Sequence, residues 1–149
     1  MQEQNGMVDD NGDKFWYQNG KRHRLDGPAI EYANGTKGWY QNDKLHREDG
    51  HAIEYANGAK GWYQNDKLHR LDGPAVEHGD GFKAWYQNGK RHREDGPACE
   101  YADGDRYWFI EGKELTEKEF NDRNNKVEVT LEDIAKAMNI DVDKLRIKE

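Results

Sequence analysis

The sequence predicts a mainly β protein, an elongated array of β-hairpins in a single twisted antiparallel sheet, followed by a small α-helical cap at the C-terminus. Three observations lead to this prediction. The tryptophans recur every 23 residues, each 23-residue unit contains glycine-type turn signals, and the pattern breaks after the last tryptophan. Self-similarity at a fixed period of this size is typical of repeat arrays. The tryptophans are Trp16, Trp39, Trp62, Trp85 and Trp108.

The composition indicates a thin structure with an aromatic core. Only 34% of the 149 residues are hydrophobic and 36% are charged, a balance that leans toward disorder. Against this stand five Trp, eight Tyr and four Phe, which bury large areas per residue. We therefore expect an ordered array pinned by aromatic side chains rather than a thick aliphatic core.

Charge and cysteine content restrict the function classes. The net charge is −7, and residues 16–107 are nearly neutral, so no basic face for tracking phosphates is evident and nucleic acid is disfavoured as a ligand. Cys99 is the single cysteine, so no intrachain disulfide can form, which fits a reducing compartment. No stretch approaches the ~20 apolar residues of a membrane span. These features predict a cytoplasmic protein.

Each unit is predicted to be a β-hairpin followed by a connecting loop. Asn-Gly and Asp-Gly dipeptides favour two-residue type I′ turns, and one set of them begins at Asn34-Gly35. A second set begins at Asn19-Gly20 and becomes Asn-Asp in the middle copies. Strand-like runs at 29–33 and 36–41 flank the first turn, and the Asp-Gly-Pro group cannot continue a regular ladder.

A two-residue turn at Asn34-Gly35 predicts which residues face each other. Ile30 would lie opposite Trp39, and Glu31 opposite Gly38. A short third strand at 44–47 would then place His46 beside Trp39, and Arg47 beside Glu31 across Gly38. The same geometry predicts the pairs Arg70–Glu54 and Arg93–Glu77, with tryptophan and isoleucine together on the opposite face.

The residues W-Y-Q-N-G-K-R-H at 16–23 and E-Y-A-N-G-T-K-G-W at 31–39 resemble a MORN-type repeat. The resemblance implies a hairpin array that acts as a scaffold for proteins or lipids. The family's usual glycines after the K-R-H group are replaced here by R-x-D-G-P, which marks a divergent branch. Repeats of the HREDGPA kind also resemble small proteins of bacteriophages and large viruses, and related arrays are sometimes labelled antitoxins. This implies a location inside the host cell.

The chain is expected to divide into three parts: a flexible acidic segment at 1–13, the array at 14–112 with four full repeats and a partial fifth, and a helical cap or docking segment at 113–149. Thr116 and Glu119 form a capping box, which predicts a helix starting at Glu117. Thr130 is predicted to cap a second helix. A helix-turn-helix is the alternative, but its second helix, D-V-D-K-L-R-I-K-E, begins with acidic residues, which disfavours DNA reading.

The repeated His-Arg-x-Asp-Gly group contains residue types used in catalysis, yet it occurs four times. Chemistry would concentrate in one specialised copy, so we predict structural roles, no catalytic residues and no cofactor. A shared metal is disfavoured as well, because equivalent histidines would lie ~10 Å apart. The structural set comprises the five tryptophans with His23, His46, His69 and His92.

The predicted function is non-enzymatic protein binding, by a phage-encoded protein that inhibits or redirects a host defence protein. Alternatives are a membrane-lipid, nucleic-acid or nucleotide-binding repeat protein, or a structural virion component; homo-oligomerisation stays open. Departures from the repeat, such as His51 for proline, His78 for tyrosine and Cys99 for an aliphatic residue, are interpreted as drift. Cys99 is expected to be a small buried hydrophobe. The candidate binding surface comprises Tyr17, Tyr40, Tyr63, Tyr86, Arg24, Arg47, Arg70, Arg93, Glu31, Glu54 and Glu77.

Overall fold

The structure is a computed structural model that describes residues 6–124 and 131–139. It confirms a mainly β fold of hairpin-like strand pairs in an antiparallel sheet, with two short helices near the C-terminus. The chain divides into two compact units, Met1–Glu117 and Lys118–Glu149. All the strands among the described residues belong to the first unit.

The main sheet has twelve strands, and neighbours in it follow chain order. Three additional two-stranded ribbons lie beyond the tryptophans of the middle units. The strands of the main sheet are β1 (Gly6–Asp10), β2 (Asp13–Gln18), β3 (Lys21–Arg22), β4 (Ile30–Glu31), β5 (Lys37–Gly38), β8 (Ile53–Glu54), β9 (Lys60–Gly61), β12 (Val76–Glu77), β13 (Lys83–Ala84), β16 (Cys99–Glu100), β17 (Arg106–Ile110) and β18 (Lys113–Leu115). The ribbons pair β6 (Tyr40–Gln41) with β7 (Lys44–Leu45), β10 (Tyr63–Gln64) with β11 (Lys67–Leu68), and β14 (Tyr86–Gln87) with β15 (Lys90–Arg91).

The middle units contain very short strands because each is interrupted at its tryptophan. The backbone hydrogen bonds nevertheless continue there: the Trp39 N–H donates to the Ala52 carbonyl at 2.7 Å, and the His46 N–H donates to the Trp39 carbonyl at 3.0 Å. The alanine after each Asp-Gly-Pro or Asp-Gly-His group accepts such a bond from the tryptophan that begins its own unit, and it is 0% exposed. These alanines are Ala29, Ala52, Ala75 and Ala98.

The hairpin register differs from the predicted one by one residue. Ile30 lies opposite Gly38, and Glu31 lies opposite Lys37. The Tyr32 N–H donates to the Thr36 carbonyl and the Gly35 N–H to the Tyr32 carbonyl, both at 2.9 Å. Only Gly35 of the Asn-Gly pair has positive φ, at 91°. The predicted two-residue turn is therefore wrong: the loop has three residues, a type I turn with a glycine bulge.

The two-residue turns with positive φ at both positions belong to the second set of dipeptides. Asn42 and Asp43 have φ of 52° and 67°, and Tyr40 lies opposite Leu45 across them. The Asp43 carboxylate accepts the Arg22 backbone N–H at 3.0 Å, and Asp66 accepts that of Leu45 at 2.8 Å. Asp replaces glycine at these positions because its side chain bonds the preceding unit, which offsets the strained φ.

The sheet begins earlier than predicted. The sequence suggests flexibility over residues 1–13, but β1 pairs with β2 along its whole length, from Gly6 opposite Tyr17 to Asp10 opposite Asp13. At the other end, β17 pairs with β18, so the strands extend to Leu115 rather than stopping at residue 112. The array therefore covers more of the chain at both ends.

The two helices are α1 (Glu117–Asn124) and α2 (Leu131–Met138). The predicted helix start at Glu117 is confirmed. In the described residues, no helix is long and apolar enough to cross a membrane. Thr130 and the acidic segment of the helix-turn-helix alternative lie outside the described residues, so the cap stays a prediction.

Candidate interaction surface

The segments R-x-D-G-P or R-x-D-G-H, which we call connectors, are each organised around their arginine. The connectors are residues 24–28, 47–51, 70–74 and 93–97. In every connector the guanidinium carbon lies over the ring of the tryptophan that begins the same unit, in cation–π geometry. The distances to the ring centroid are 4.3 Å for Arg24–Trp16, 4.5 Å for Arg47–Trp39, 4.2 Å for Arg70–Trp62 and 3.9 Å for Arg93–Trp85.

The opposite side of each guanidinium is covered by the connector glycine. A Cβ atom added at Gly73 would lie 2.9 Å from Arg70 Cζ, and one at Gly27 would lie 2.8 Å from Arg24 Cζ. None of the four connector glycines has a positive φ. They are required because a side chain would displace the arginine, and each guanidinium is thus enclosed between an indole ring and a bare backbone.

Hydrogen bonds hold the same guanidinium at its edges. In all four connectors, Nε donates to the aspartate two residues later at 2.8–2.9 Å. Nη1 donates to a carbonyl four residues later, as from Arg93 to Pro97 at 3.1 Å. The arginine hydrogen bond holds the pKa of each aspartate below its usual value; the aspartates are Asp26, Asp49, Asp72 and Asp95.

The ion pairs of the arginines run in the opposite direction from the predicted one. Arg70 Nη1 lies 3.2 Å from Glu77, and Arg93 Nη1 lies 3.0 Å from Glu100. Arg24 lies 3.9 Å from Glu31, while Glu54 pairs with His51 at 3.1 Å. The predicted pairs Arg47–Glu31, Arg70–Glu54 and Arg93–Glu77 are wrong, because each of these glutamates pairs with a residue of its own unit: an arginine for Glu31 and Glu77, and His51 for Glu54.

The repeated histidines join consecutive units through the backbone. Each lies beside the tryptophan of its unit, as predicted, and Nδ1 of the ring accepts a backbone N–H from the turn of the next unit. The arginine, rather than the histidine, covers the indole face. The donors are Asn42 to His23 and Asn65 to His46, both at 3.3 Å, and Asn88 to His69 and Glu111 to His92, both at 3.1 Å.

The residues of the candidate surface separate onto two faces. Because side chains alternate along a strand, Glu31 and Lys37 share a face with Trp39, which we call the Trp face. Ile30, Gly38 and Tyr40 share the other, which we call the Tyr face. The expectation that tyrosines join the arginine and glutamate rows is wrong: those rows lie with the tryptophans.

On the Tyr face the predicted tyrosines are half-buried. The Tyr40 ring packs over Gly38, where an added Cβ would lie 2.8 Å from it, and Arg22 lies over the same ring at 4.4 Å. Burial raises the pKa of Tyr40 and of Tyr63. Arg91 donates to the Tyr86 hydroxyl at 3.1 Å, and Tyr17 lies opposite Arg22. Gly38 therefore lies against the tyrosine ring rather than between two charges, and the equivalent residue beside Tyr86 is Ala84.

Three equivalent grooves lie on the Trp face, each between two successive connectors. Their volumes are about 490, 360 and 710 Å³ in chain order. Each is lined by two connectors, the histidine of the second unit, and a tryptophan with the glutamine two residues later, such as Trp85 with Gln87. The variable connector position alternates along the chain between exposed leucine and exposed glutamate: Leu25, Glu48, Leu71 and Glu94.

Sequence reasoning missed the role of His51. Its ring lies between two tryptophans, 5.5 Å from the Trp39 ring and 5.6 Å from the Trp62 ring. The departure from proline was the signal that could have identified it. Cys99, by contrast, is a small buried hydrophobe as expected: it is 1% exposed, and burial raises the pKa of its thiol.

Across residues 6–124 and 131–139, no group of three or more His, Cys, Asp or Glu side chains is arranged to hold a metal ion. No protein-family model matches the chain, and no curated protein matches it either.

Proposed function

We propose that this chain is a non-enzymatic protein-binding module whose Trp-face grooves receive a protein partner. The observation that supports this proposal is the repetition of one groove three times in register, with tryptophan, arginine and glutamine in each. Tryptophan and arginine are the residue types that most often dominate binding energy in interfaces. Arg24, Arg47, Arg70 and Arg93 belong to this surface.

The groove side chains are held in place before any partner arrives. The connector arginines are only 21–27% exposed and are enclosed by indole, glycine and aspartate. Binding to such a surface costs little additional side-chain entropy, which favours affinity. The tryptophans and arginines therefore provide a rigid floor.

The groove rim selects the partner by charge and apolar contact. The connector aspartates are 83–85% exposed, and Glu48 is 83% exposed beside them. Leu25 and Leu71 are 76% and 75% exposed, and they lie two units apart, about 19 Å at four strand spacings. We infer a partner that presents basic side chains between apolar ones at that separation.

The repetition of the same residues favours binding over catalysis. The His-Arg-x-Asp-Gly group is repeated four times with equivalent contacts, whereas a catalytic site is normally a single constellation. The resemblance to phage and large-virus repeats suggests a partner in the host cytoplasm, such as a defence protein that the chain inhibits or redirects. That identity comes from the resemblance of the repeats alone.

The test is affinity capture from a bacterial host lysate. The full chain should retain a protein partner. The double variant Leu25→Ser/Leu71→Ser should lose it, because the variant lacks the two apolar contacts of the groove rim. Both leucines are exposed, so their replacement leaves the fold intact. The control is Met7→Ser, since Met7 is 53% exposed on β1 and lines none of the three grooves. Retention of the partner by the leucine variant would contradict the groove assignment.

The other function classes are read out by parallel assays. Binding to anionic vesicles at physiological salt would favour the lipid-surface alternative. A salt-dependent shift of single-stranded DNA would favour nucleic-acid binding. Recovery of the protein in purified virus particles would favour a structural role. Any of these results without a captured protein would replace the proposal.

A further inference from the structure

The outer edge of the Tyr face, where the three-residue turns lie, carries a row of aromatic rings that we call the turn edge. One position in each unit, just before the turn, projects a large ring: Tyr32, Tyr55, His78 and Tyr101. The three tyrosines are 42–45% exposed. Equivalent rings in adjacent units are separated by two strand spacings, about 9.6 Å.

In one place a side chain of the protein itself fills the space between two such rings. The Phe82 ring lies 5.0 Å from the His78 ring and 4.7 Å from the Tyr101 ring, measured between centroids. Both contacts are in the range of favourable aromatic pairs. Phe82 stands directly after the turn of its unit, so its position is set by the same hairpin geometry that occurs in every unit.

The position equivalent to Phe82 carries a small side chain in the preceding unit. There the residue is Ala59, and Tyr55 and His78 form the two walls of a cavity of about 600 Å³. Asn57, Gly79 and Asp80 complete its rim. The hairpin bonds are conserved: Tyr55 N–H donates to the Ala59 carbonyl at 2.9 Å, just as His78 N–H donates to that of Phe82. The cavity is therefore the Phe82 site without its ring.

The gap between Tyr32 and Tyr55 is different. Its equivalent residue is Thr36, whose Oγ1 accepts the Ala56 backbone N–H at 3.1 Å. A hydroxyl therefore lies there in place of the methyl group of Ala59. The gap at Ala59 therefore differs from the other two described gaps: it is not filled by a ring, as the gap at Phe82 is, and its floor is a methyl group rather than the hydroxyl of Thr36.

We propose that the Tyr55–His78 cavity binds an aromatic side chain of a protein partner, in the position that Phe82 occupies one unit later. Asp80 on the rim and the net charge of −7 oppose a phosphate-bearing nucleotide, so an uncharged ring is favoured over a nucleobase carrying phosphates. The inference rests on the proposed function only in assigning the ring to a protein. The cavity shares no lining residue with the three grooves of the Trp face.

The experiment is an NMR titration of the full chain with N-acetyl-L-phenylalaninamide. Saturable shifts should appear at Tyr55, Ala59 and His78. N-acetyl-L-leucinamide is the matched aliphatic probe and should bind about tenfold more weakly, the loss expected for two ring contacts. Because no partner is needed, this result is independent of whether the lysate capture succeeds.

Two variants test the location. Ala59→Phe should fill the cavity, raise the melting temperature and weaken the probe at least about tenfold. Phe82→Ala should open a second cavity, so that the probe also shifts Tyr101. Ala59→Phe is expected to fold, because the next hairpin already accommodates phenylalanine at this position. If Ala59→Phe does not fold, Tyr55→Ala is the second variant, and it should also weaken binding of the probe because it removes one aromatic wall.

Three outcomes would overturn the proposal. One is the absence of saturable shifts in the unsubstituted chain. Another is binding that survives Ala59→Phe unchanged, which would place the probe elsewhere. The third is tighter binding of adenosine monophosphate than of the phenylalanine probe at the same residues, which would assign the cavity to a nucleobase.

Discussion

The connectors and the turn edge belong to the same repeat but vary to very different degrees. All four connectors keep the same arginine, aspartate and glycine, and each arginine makes the same contacts to indole and carboxylate. At the turn edge, the residue after the turn changes from Thr36 to Ala59, Phe82 and Asp105. The connector is held by the side-chain contacts of its arginine. The hairpin turn is held by backbone bonds and by its own Asn or Asp side chain, which accepts the backbone N–H of the residue after the turn whatever that residue is. The residues that repeat in every unit are thus the ones that support the fold. The residue after the turn varies because the fold does not restrict its side chain, so that surface can be specialised for binding.

The largest difference in stability is expected between replacing a tryptophan that packs against a connector arginine and replacing a turn-edge tyrosine. Trp62→Ala should lower the free energy of unfolding by about 3 kcal/mol, since it removes the indole that holds Arg70 and leaves a cavity. Tyr55→Ala, at a side chain 45% exposed, should cost less than about 1 kcal/mol. Urea unfolding followed by circular dichroism measures both. Equal losses would remove the distinction between the two regions.

A smaller effect is expected at the two-residue turns, where a side chain also supports the backbone. Asp66→Ala should cost about 1 kcal/mol, because alanine keeps the strained φ of 64° and loses the bond to the Leu45 N–H. Asp66→Gly loses the same bond but relieves the strain, so its stability should stay within about 0.5 kcal/mol of the parent. Thermal melting of the two variants side by side is the measurement. A glycine variant less stable than the alanine variant would contradict this account.

The direction of the connector ion pairs can be measured by double-mutant cycles. Arg70 and Glu77 should show a coupling energy of about 0.5 kcal/mol, modest because Glu77 is 37% exposed. Arg93 and Glu77, the pair predicted by the two-residue turn, should be additive. Coupling between Arg93 and Glu77 instead would contradict this assignment and support the register predicted from a two-residue turn.

The smallest effect is expected from the connector aspartates. Their pKa values are lowered in the folded protein by the arginine hydrogen bonds, so the folded state binds protons more weakly than the unfolded chain. The stabilisation is present above the unfolded pKa, near pH 4, and is lost as the pH falls through the lower folded values. Melting temperature measured from pH 7 to pH 2 should decline in that acidic range. The variant with all four aspartates changed to asparagine should show a shallower decline; an identical profile would contradict the assignment.

The register shows why part of the surface could not be predicted. An Asn-Gly dipeptide suits both a two-residue type I′ turn and a three-residue turn with a glycine bulge. The two loops differ by one residue, and one residue exchanges the faces of a strand. The prediction therefore put tryptophan with isoleucine, whereas Trp39 shares its face with Glu31 and Lys37.

The sequence by itself determined the 23-residue period, the mainly β class, the helix start at Glu117 and the burial of Cys99, because these depend on residue type and local spacing. The tertiary structure decided which partner each arginine takes, why the connector glycines are needed and where an aromatic cavity stays open. Those features depend on how one unit stacks on the next. Stacking selects one loop conformation from several that the local sequence allows, and only then are the two faces assigned.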